Sequence, residues 1–309
     1  MLDDEIQAIV DRMNAAPGPP PHEVPVAQAR AAHLGETALM SGPGERVADV
    51  RDVHAPGPGG AIRIRVFRPE GAGPLPLVAY LHGGGWVIGS VEAFDPLCRA
   101  LANASGAVVA GIDYRLAPEH PFPAGADDAL AAVRWLAAHA EQLGADPGRL
   151  AIAGDSAGAN LATVTARRIR DDGGEPALRL QALIYPVTDS GLDTPSYRER
   201  GEGFGLSVHS MRRYWELYLS GADGTVPDAS PLRAPDLAGL PPAFVLIVED
   251  DVLRDEGLAY AGALERAGVP VTVRRYEGVI HGFFRWLARS RQSRAAVADV
   301  GAALRAGLA

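Results

Sequence analysis

A chain of 309 residues, 47% of them hydrophobic, is long enough to bury a large core, and α/β enzymes of this size are often one domain. The formal net charge of −9 argues against a nucleic-acid binder, which needs a basic face, and no apolar run approaches the roughly 18 residues of a membrane span. All 29 basic residues are arginine, which excludes a Ser-Lys dyad, a lysine Schiff base and a P-loop lysine; the single cysteine, Cys98, excludes an internal disulfide.

The acidic start, Met1-Leu2-Asp3-Asp4-Glu5, lacks the basic and apolar regions of a signal peptide, so a cytoplasmic protein is expected. Leu2, Ile6, Ile9, Val10 and Met13 have helical spacing, and Pro17 to Pro21 should end that helix. A second short helix is expected from Val26 to His33. Strands begin at Arg46 to Val50 and at Ile62 to Val66, joined by a turn over Pro56 to Gly60 and so antiparallel. From there the pattern changes. Continuous apolar runs at 75–81, 107–112, 150–153, 180–185 and 243–248 alternate with helical stretches at 93–105, 124–143, after 158 and at 254–267, which predicts buried parallel strands in an α/β sheet. Val271 to Val273 form the last expected strand, and a helix over 291–308 closes the chain. The interval from Val187 to Leu240 shows no strand. Val208, Met211, Trp215 and Tyr218 mark one amphipathic helix there, with Ser207 as its N-cap, and a helical insertion between sheet strands is a candidate lid.

Three motifs carry chemistry. Gly154-Asp155-Ser156-Ala157-Gly158 lies between a strand and a helix, the setting of a nucleophile elbow. Such a turn holds the Ser156 hydroxyl at a helix N-terminus, where an oxyanion is favoured. His82-Gly83-Gly84-Gly85-Trp86 follows the third strand. Its glycines let backbone N–H groups approach a reacting atom, and Gly84, Gly85 and Ala157 are the expected oxyanion donors. A serine nucleophile in a lysine-free chain needs a histidine as its base, with a carboxylate as the alternative. His281, just past the last strand, is the candidate; His82 is expected to hold the glycine loop instead. Glu249, Asp250 and Asp251 all follow Val248. Asp251 is the expected partner of His281, with Asp250 one step away along the same loop, and Asp155 is expected to support the elbow.

With these residues assembled, the chain resembles the hormone-sensitive-lipase-like esterases of the α/β-hydrolase superfamily. The resemblance rests on His82-Gly83-Gly84-Gly85-Trp86, Asp113-Tyr114-Arg115-Leu116-Ala117-Pro118-Glu119, Gly154-Asp155-Ser156-Ala157-Gly158, Asp251-x-Leu253-Arg254-Asp255 and His281-Gly282-Phe283, in that order. It implies an eight-stranded, mostly parallel sheet flanked by helices. A helical cap would come from residues 1–45 and an insertion at 188–225, and the catalytic domain from 46–187 and 226–309. It implies hydrolysis of short- to medium-chain carboxylic esters through an acyl-enzyme, with no cofactor and no metal, and a possible homodimer through the strand edge near Val271 to Arg275. Val252 stands where the family usually has proline after the catalytic aspartate. Amide or formamide hydrolysis and acyl transfer use the same triad, and plant hormone receptors on this fold lack the histidine that His281 supplies here. Trp86, Tyr185, Phe204, Leu206 and Trp215 are expected in the substrate pocket, with Met211 and Tyr218 joining the cap residues of its wall.

Overall fold

The computed structural model describes residues 1–15 and 18–309. Pro17, expected to end the first helix, lies outside the described residues. Eight strands form one sheet: β1 (Asp49–Gly57), β2 (Gly60–Arg68), β3 (Leu75–Leu81), β4 (Val108–Asp113), β5 (Ala145–Asp155), β6 (Leu178–Ile184), β7 (Ala243–Asp250) and β8 (Val271–Ile280). Their order is β1-β2-β4-β3-β5-β6-β7-β8. β2 is antiparallel to both β1 and β4, and every pair from β4 to β8 is parallel.

Side chains of a strand alternate between the two faces, so each face builds its own core. Along β3, Leu77, Ala79 and Leu81 join one apolar cluster while Val78 and Tyr80 join the other. The first cluster takes helices α4 (Ala124–Ala138), α5 (Ala157–Asp171) and α8 (Arg254–Arg266); the second takes α1 (Asp4–Ala15), α3 (Asp95–Ser105) and α9 (Arg291–Gly307). No helix among the described residues is long and apolar enough to cross a membrane.

Several elements differ from the sequence reading at their ends: α4 stops at Ala138 rather than Leu143, and β5 begins at Ala145 rather than Leu150. β1 begins at Asp49, not Arg46, because its partner β2 ends at Arg68, directly opposite Asp49. Helix α2 runs from Val26 to Met40, well past His33; Gly35 in its interior interrupts the pattern, but Thr37 and Met40 are buried beyond it. β8 extends to Ile280 rather than stopping at Val273. It is an edge strand whose residues Thr272 to Arg275 face solvent, so polarity there hides a strand that pairs with β7 as far as Ile280.

Residues 188–225 hold α6 (Pro195–Glu199) and α7 (Val208–Leu219), the latter capped by Ser207, whose Oγ accepts from the Ser210 N–H. The start of this insertion is tied to α8: Glu256, buried, accepts the N–H groups of Thr188 (2.6 Å) and Asp189 (3.3 Å) on Oε1. The N-terminal segment is tied down by Arg30 on α2. It donates to the carbonyls of Val87 and Ala117 and forms a fork with Glu119.

Candidate active site

β5 delivers the serine. Ser156 has φ 55° and ψ −121°, a conformation that side-chain-bearing residues rarely adopt and that the surrounding chain must enforce. The flanking glycines permit it. A Cβ on Gly158 would run into the carbonyl of Leu81, and one on Gly154 would meet the backbone of Gly158. Helix α5 starts at the next residue, Ala157, whose N–H is one of the first-turn donors with no intrahelical acceptor.

Register delivers the base and its partner. β7 and β8 are parallel and pair Asp250 with Ile280. The residues one step beyond, Asp251 and His281, therefore leave neighbouring strands at the same level. His281 Nδ1 lies 2.7 Å from Asp251 Oδ2, and His281 Nε2 lies 2.9 Å from Ser156 Oγ. Asp251 is 1% exposed, and its second oxygen accepts the Leu253 N–H at 3.0 Å. Asp250 points elsewhere, accepting Arg200 Nε at 2.9 Å. The tyrosine ring of Tyr185 packs 4.5 Å from the imidazole of His281, centroid to centroid.

The glycine loop is fastened to the elbow by Asp155. Its Oδ1 accepts both the Gly83 N–H (2.9 Å) and the Tyr80 hydroxyl (2.7 Å), and burial raises its pKa in spite of those bonds. Asp155 thus does more than support the elbow: it sets the height of the loop above Ser156. Gly84 and Gly85 sit at φ 121° and 58°, and a Cβ on Gly85 would strike the ring of Tyr214. His82 is buried, contacts the Gly83 carbonyl through Nδ1 at 2.8 Å, and stacks on Tyr114, whose hydroxyl donates to the His82 carbonyl. Burial holds its pKa down, which suits a neutral brace beneath the loop.

A cavity of about 150 Å³ opens over Ser156 and His281, floored by Gly83 to Gly85. Of the five side chains expected in the pocket, Leu206 lines it. The other four do not. Trp86 and Trp215 are spent on a buried aromatic stack with Tyr218, at 4.6 Å from each other and 4.2 Å from Trp86 to Tyr218. Phe204 lies beneath the Arg200 guanidinium at 5.1 Å, and Tyr185 backs His281. Met211 lines the cavity as expected of the cap residues, and Tyr218 does not.

The strand order, the strained serine and the relay beside a glycine loop coincide with a family model described as alpha/beta hydrolase fold, which matches residues 78–285. The chain belongs to that family. It is 43% identical over 275 residues to carboxylic ester hydrolase LipN of Mycobacterium tuberculosis, covering 87% of this chain and 73% of the relative. It is 39% identical over 271 residues to ethyl acetate hydrolase of Pseudomonas putida, covering 86% and 85%. Among solved structures, the esterase of the archaeon Pyrobaculum calidifontis superposes with a TM-score of 0.94 at 42% identity over 99% of this chain and 98% of that one. Within the family it is a hormone-sensitive-lipase-like member, as its five motifs imply.

The sequence reading missed Tyr80, His33, Tyr214 and Arg285 as neighbours of the reaction centre. Tyr80 carries no signal, being one residue of a continuous apolar strand. Arg285 does: it stands inside the run Phe283-Phe284-Arg285-Trp286-Leu287, where a charge is out of place.

Proposed function

We propose that this hydrolase cleaves short- to medium-chain carboxylic esters through an acyl-enzyme on Ser156. The observation that carries the reading is the continuous relay Asp251–His281–Ser156, ending on a serine held at positive φ beside the glycine loop. Ser156 Oγ attacks the ester carbonyl carbon while its proton passes to His281 Nε2. The carbonyl oxygen becomes an oxyanion, received by the N–H groups of Gly84, Gly85 and Ala157, each worth on the order of 3 kcal/mol of barrier. Asp251 fixes the imidazole tautomer and stabilises the imidazolium. As the tetrahedral centre collapses, the ester C–O bond breaks and the leaving alkoxide takes the proton from His281. Water then repeats the sequence on the acyl-enzyme and releases the acid. Two relatives named as ester hydrolases support ester hydrolysis over amide hydrolysis or acyl transfer. A cavity of about 150 Å³, the size that holds one benzene, supports short acyl groups.

A panel of p-nitrophenyl esters from acetate to palmitate tests the reading, with Ser156→Ala as control. Expected is a short- to medium-chain optimum and no turnover in the variant; hydrolysis surviving in Ser156→Ala overturns the mechanism. We also propose a homodimer through the unpaired outer edge of β8, where Val273 is exposed, which light scattering at the mass of one 32.3 kDa chain would refute. A cytoplasmic location is proposed as well, supported by the acidic composition and the lone buried Cys98; cell fractionation finding the activity outside the cytoplasm would refute it.

A further inference from the structure

The catalytic cavity contains a guanidinium, that of Arg285, that makes no hydrogen bond to the described residues. Arg285 ends the short turn Phe283–Arg285, four residues after His281, and its side chain lines the cavity with His33, Phe94 and Tyr214. That side chain is 11% exposed. The carboxylate nearest to it is that of Glu36, mostly exposed, whose oxygen lies 3.8 Å from Nη2 and beyond hydrogen-bond reach. Nη1 is buried with no acceptor among the described residues. The Phe94 ring, 5.9 Å from the guanidinium carbon, attracts the charge but accepts no directed hydrogen bond.

The contrast with another arginine is informative. Arg254 is equally buried, at 11%, and reaches Glu199, Glu249 and Asp255. A buried charge without a partner is unfavourable, and proteins keep such a group where a ligand supplies the partner. Among the described residues no other polar group of the cavity accepts a hydrogen bond from it, and the Asp155 carboxylate attracts it only at longer range. Asp155 spends Oδ1 on Gly83 and Tyr80. His33 is held neutral by burial and by Arg285 itself, with its pKa lowered to about 2.

We propose that Arg285 recognises a carboxylate carried by the ester substrate, so that this enzyme takes short esters bearing a free carboxylate ahead of neutral esters of the same shape. The planar fork of a guanidinium matches the two oxygens of a carboxylate. Ser156 and Arg285 line the same cavity of about 150 Å³, so an ester carbonyl at the serine and a carboxylate at the guanidinium belong to one short substrate. The carboxylate can reside on the acyl side, as in a half-ester of a short dicarboxylic acid, or on the alcohol side, as in an acyloxy acid. Arg285 is a binding residue in either case, and the hydrolytic step is unchanged: one ester C–O bond breaks, water is consumed, and an acid and an alcohol leave. The proposal rests on the reading of the site as ester-hydrolysing.

Two matched pairs test it. On the acyl side, ethyl hydrogen succinate is compared with ethyl 4-methylpentanoate, which replaces the carboxylate by an isopropyl group. On the alcohol side, acetoxyacetate is compared with isobutyl acetate. The readout is the ratio of kcat/KM, anionic over neutral, within each form of the enzyme. At least a tenfold preference for the anionic member is expected in one pair, and that pair identifies the side. The ratio should fall below one in Arg285→Met and be partly kept in Arg285→Lys. A wild-type ratio of one or less in both pairs, or a preference that survives in Arg285→Met, overturns the proposal. If Arg285→Met does not fold, Arg285→Gln is read in its place, and the wild-type ratios stand on their own. Hydrolysis of p-nitrophenyl acetate separates the two levels: if it is present without a carboxylate preference, only this inference fails; if every ester is inert, the esterase reading fails with it.

Discussion

Asp250 and Asp251 are neighbours in the chain and do unrelated work. Asp251 is enclosed and bonded to the imidazole, whereas Asp250 balances Arg200 at the edge of the insertion. Asp251→Asn should keep the fold and lower kcat by roughly 10⁴, because an amide can hold the imidazole in the wrong tautomer and cannot stabilise its charge. Asp250→Asn should lower kcat by less than about threefold and stability by up to about 1 kcal/mol, the scale of a partly exposed ion pair. Steady-state kinetics on p-nitrophenyl butyrate distinguish the two; equal losses would refute the assignment. The sequence narrows the orienting acid to a three-residue run, and the pattern Asp251-x-Leu253-Arg254-Asp255 favours Asp251 within it without a physical reason for that register. What separates 250 from 251 is the pairing of Asp250 with Ile280, a property of two strands that lie 30 residues apart and are brought side by side by folding. Asp155 shows the same limit. Its place in the elbow motif is legible, but its bond to Gly83, 72 residues away, is not.

Among the elements, α7 shows what a hydrophobic period does and does not specify. Val208, Met211, Trp215 and Tyr218 repeat at helical spacing, and the helix forms where that spacing places it. The period says that one face is buried and leaves open what it is buried against. Trp215 and Tyr218 stack with Trp86 and pin the helix to the glycine loop, while Tyr214, one residue before Trp215, and Met211, a turn before it, line the cavity. Packing and pocket are therefore separable by mutation. Trp215→Ala should cost about 3–5 kcal/mol in urea unfolding, as expected for emptying a buried aromatic site. It should leave the order of preference among acyl chains as it was. Leu206→Ala, at a half-buried lining position, should cost far less and raise the ratio of hexanoate to acetate kcat/KM several-fold by lengthening the cavity. If Trp215→Ala shifts chain preference as much as Leu206→Ala, the aromatic stack is part of the acyl wall after all. The same reasoning explains the five motifs at the level of elements. Arg115 in the second motif bonds Asp128 on α4, and Glu119 bonds Arg30 on α2. These residues hold the sheet, the N-terminal segment and the glycine loop together, and their partners lie in stretches with no motif at all.

At the scale of the whole molecule, a buried carboxyl on α8 holds the start of the 188–225 segment, and it couples global stability to pH. Glu256 is 1% exposed, and burial pushes its pKa from 4.5 up to about 8, against the pull of the Thr188 and Asp189 N–H groups, which favour the charged form. Because the folded pKa is raised, the folded state holds a proton that the unfolded chain gives up. The stabilisation is complete below the unfolded value near 4.5 and is lost as pH rises through about 8. Across that window it falls by on the order of a few kcal/mol. His33 works in the opposite sense. Its folded pKa is lowered from 6.5 to about 2, so its contribution is lost as pH falls below 6.5. A wild-type stability curve mixes both, and the informative quantity is a difference between variants. Glu256→Gln keeps an acceptor for the two N–H groups and donates from the position where the acid proton would sit, on the otherwise unpartnered Oε2. It cannot titrate. Urea midpoints measured at pH 5, 6, 7 and 8 should show the variant gaining on wild type steadily as pH rises, with His33 cancelling because both proteins carry it. A difference that is flat across that range would mean that Glu256 is charged in the folded protein, and that the insertion is held to α8 by an ionised carboxylate and two amides rather than by a neutral acid.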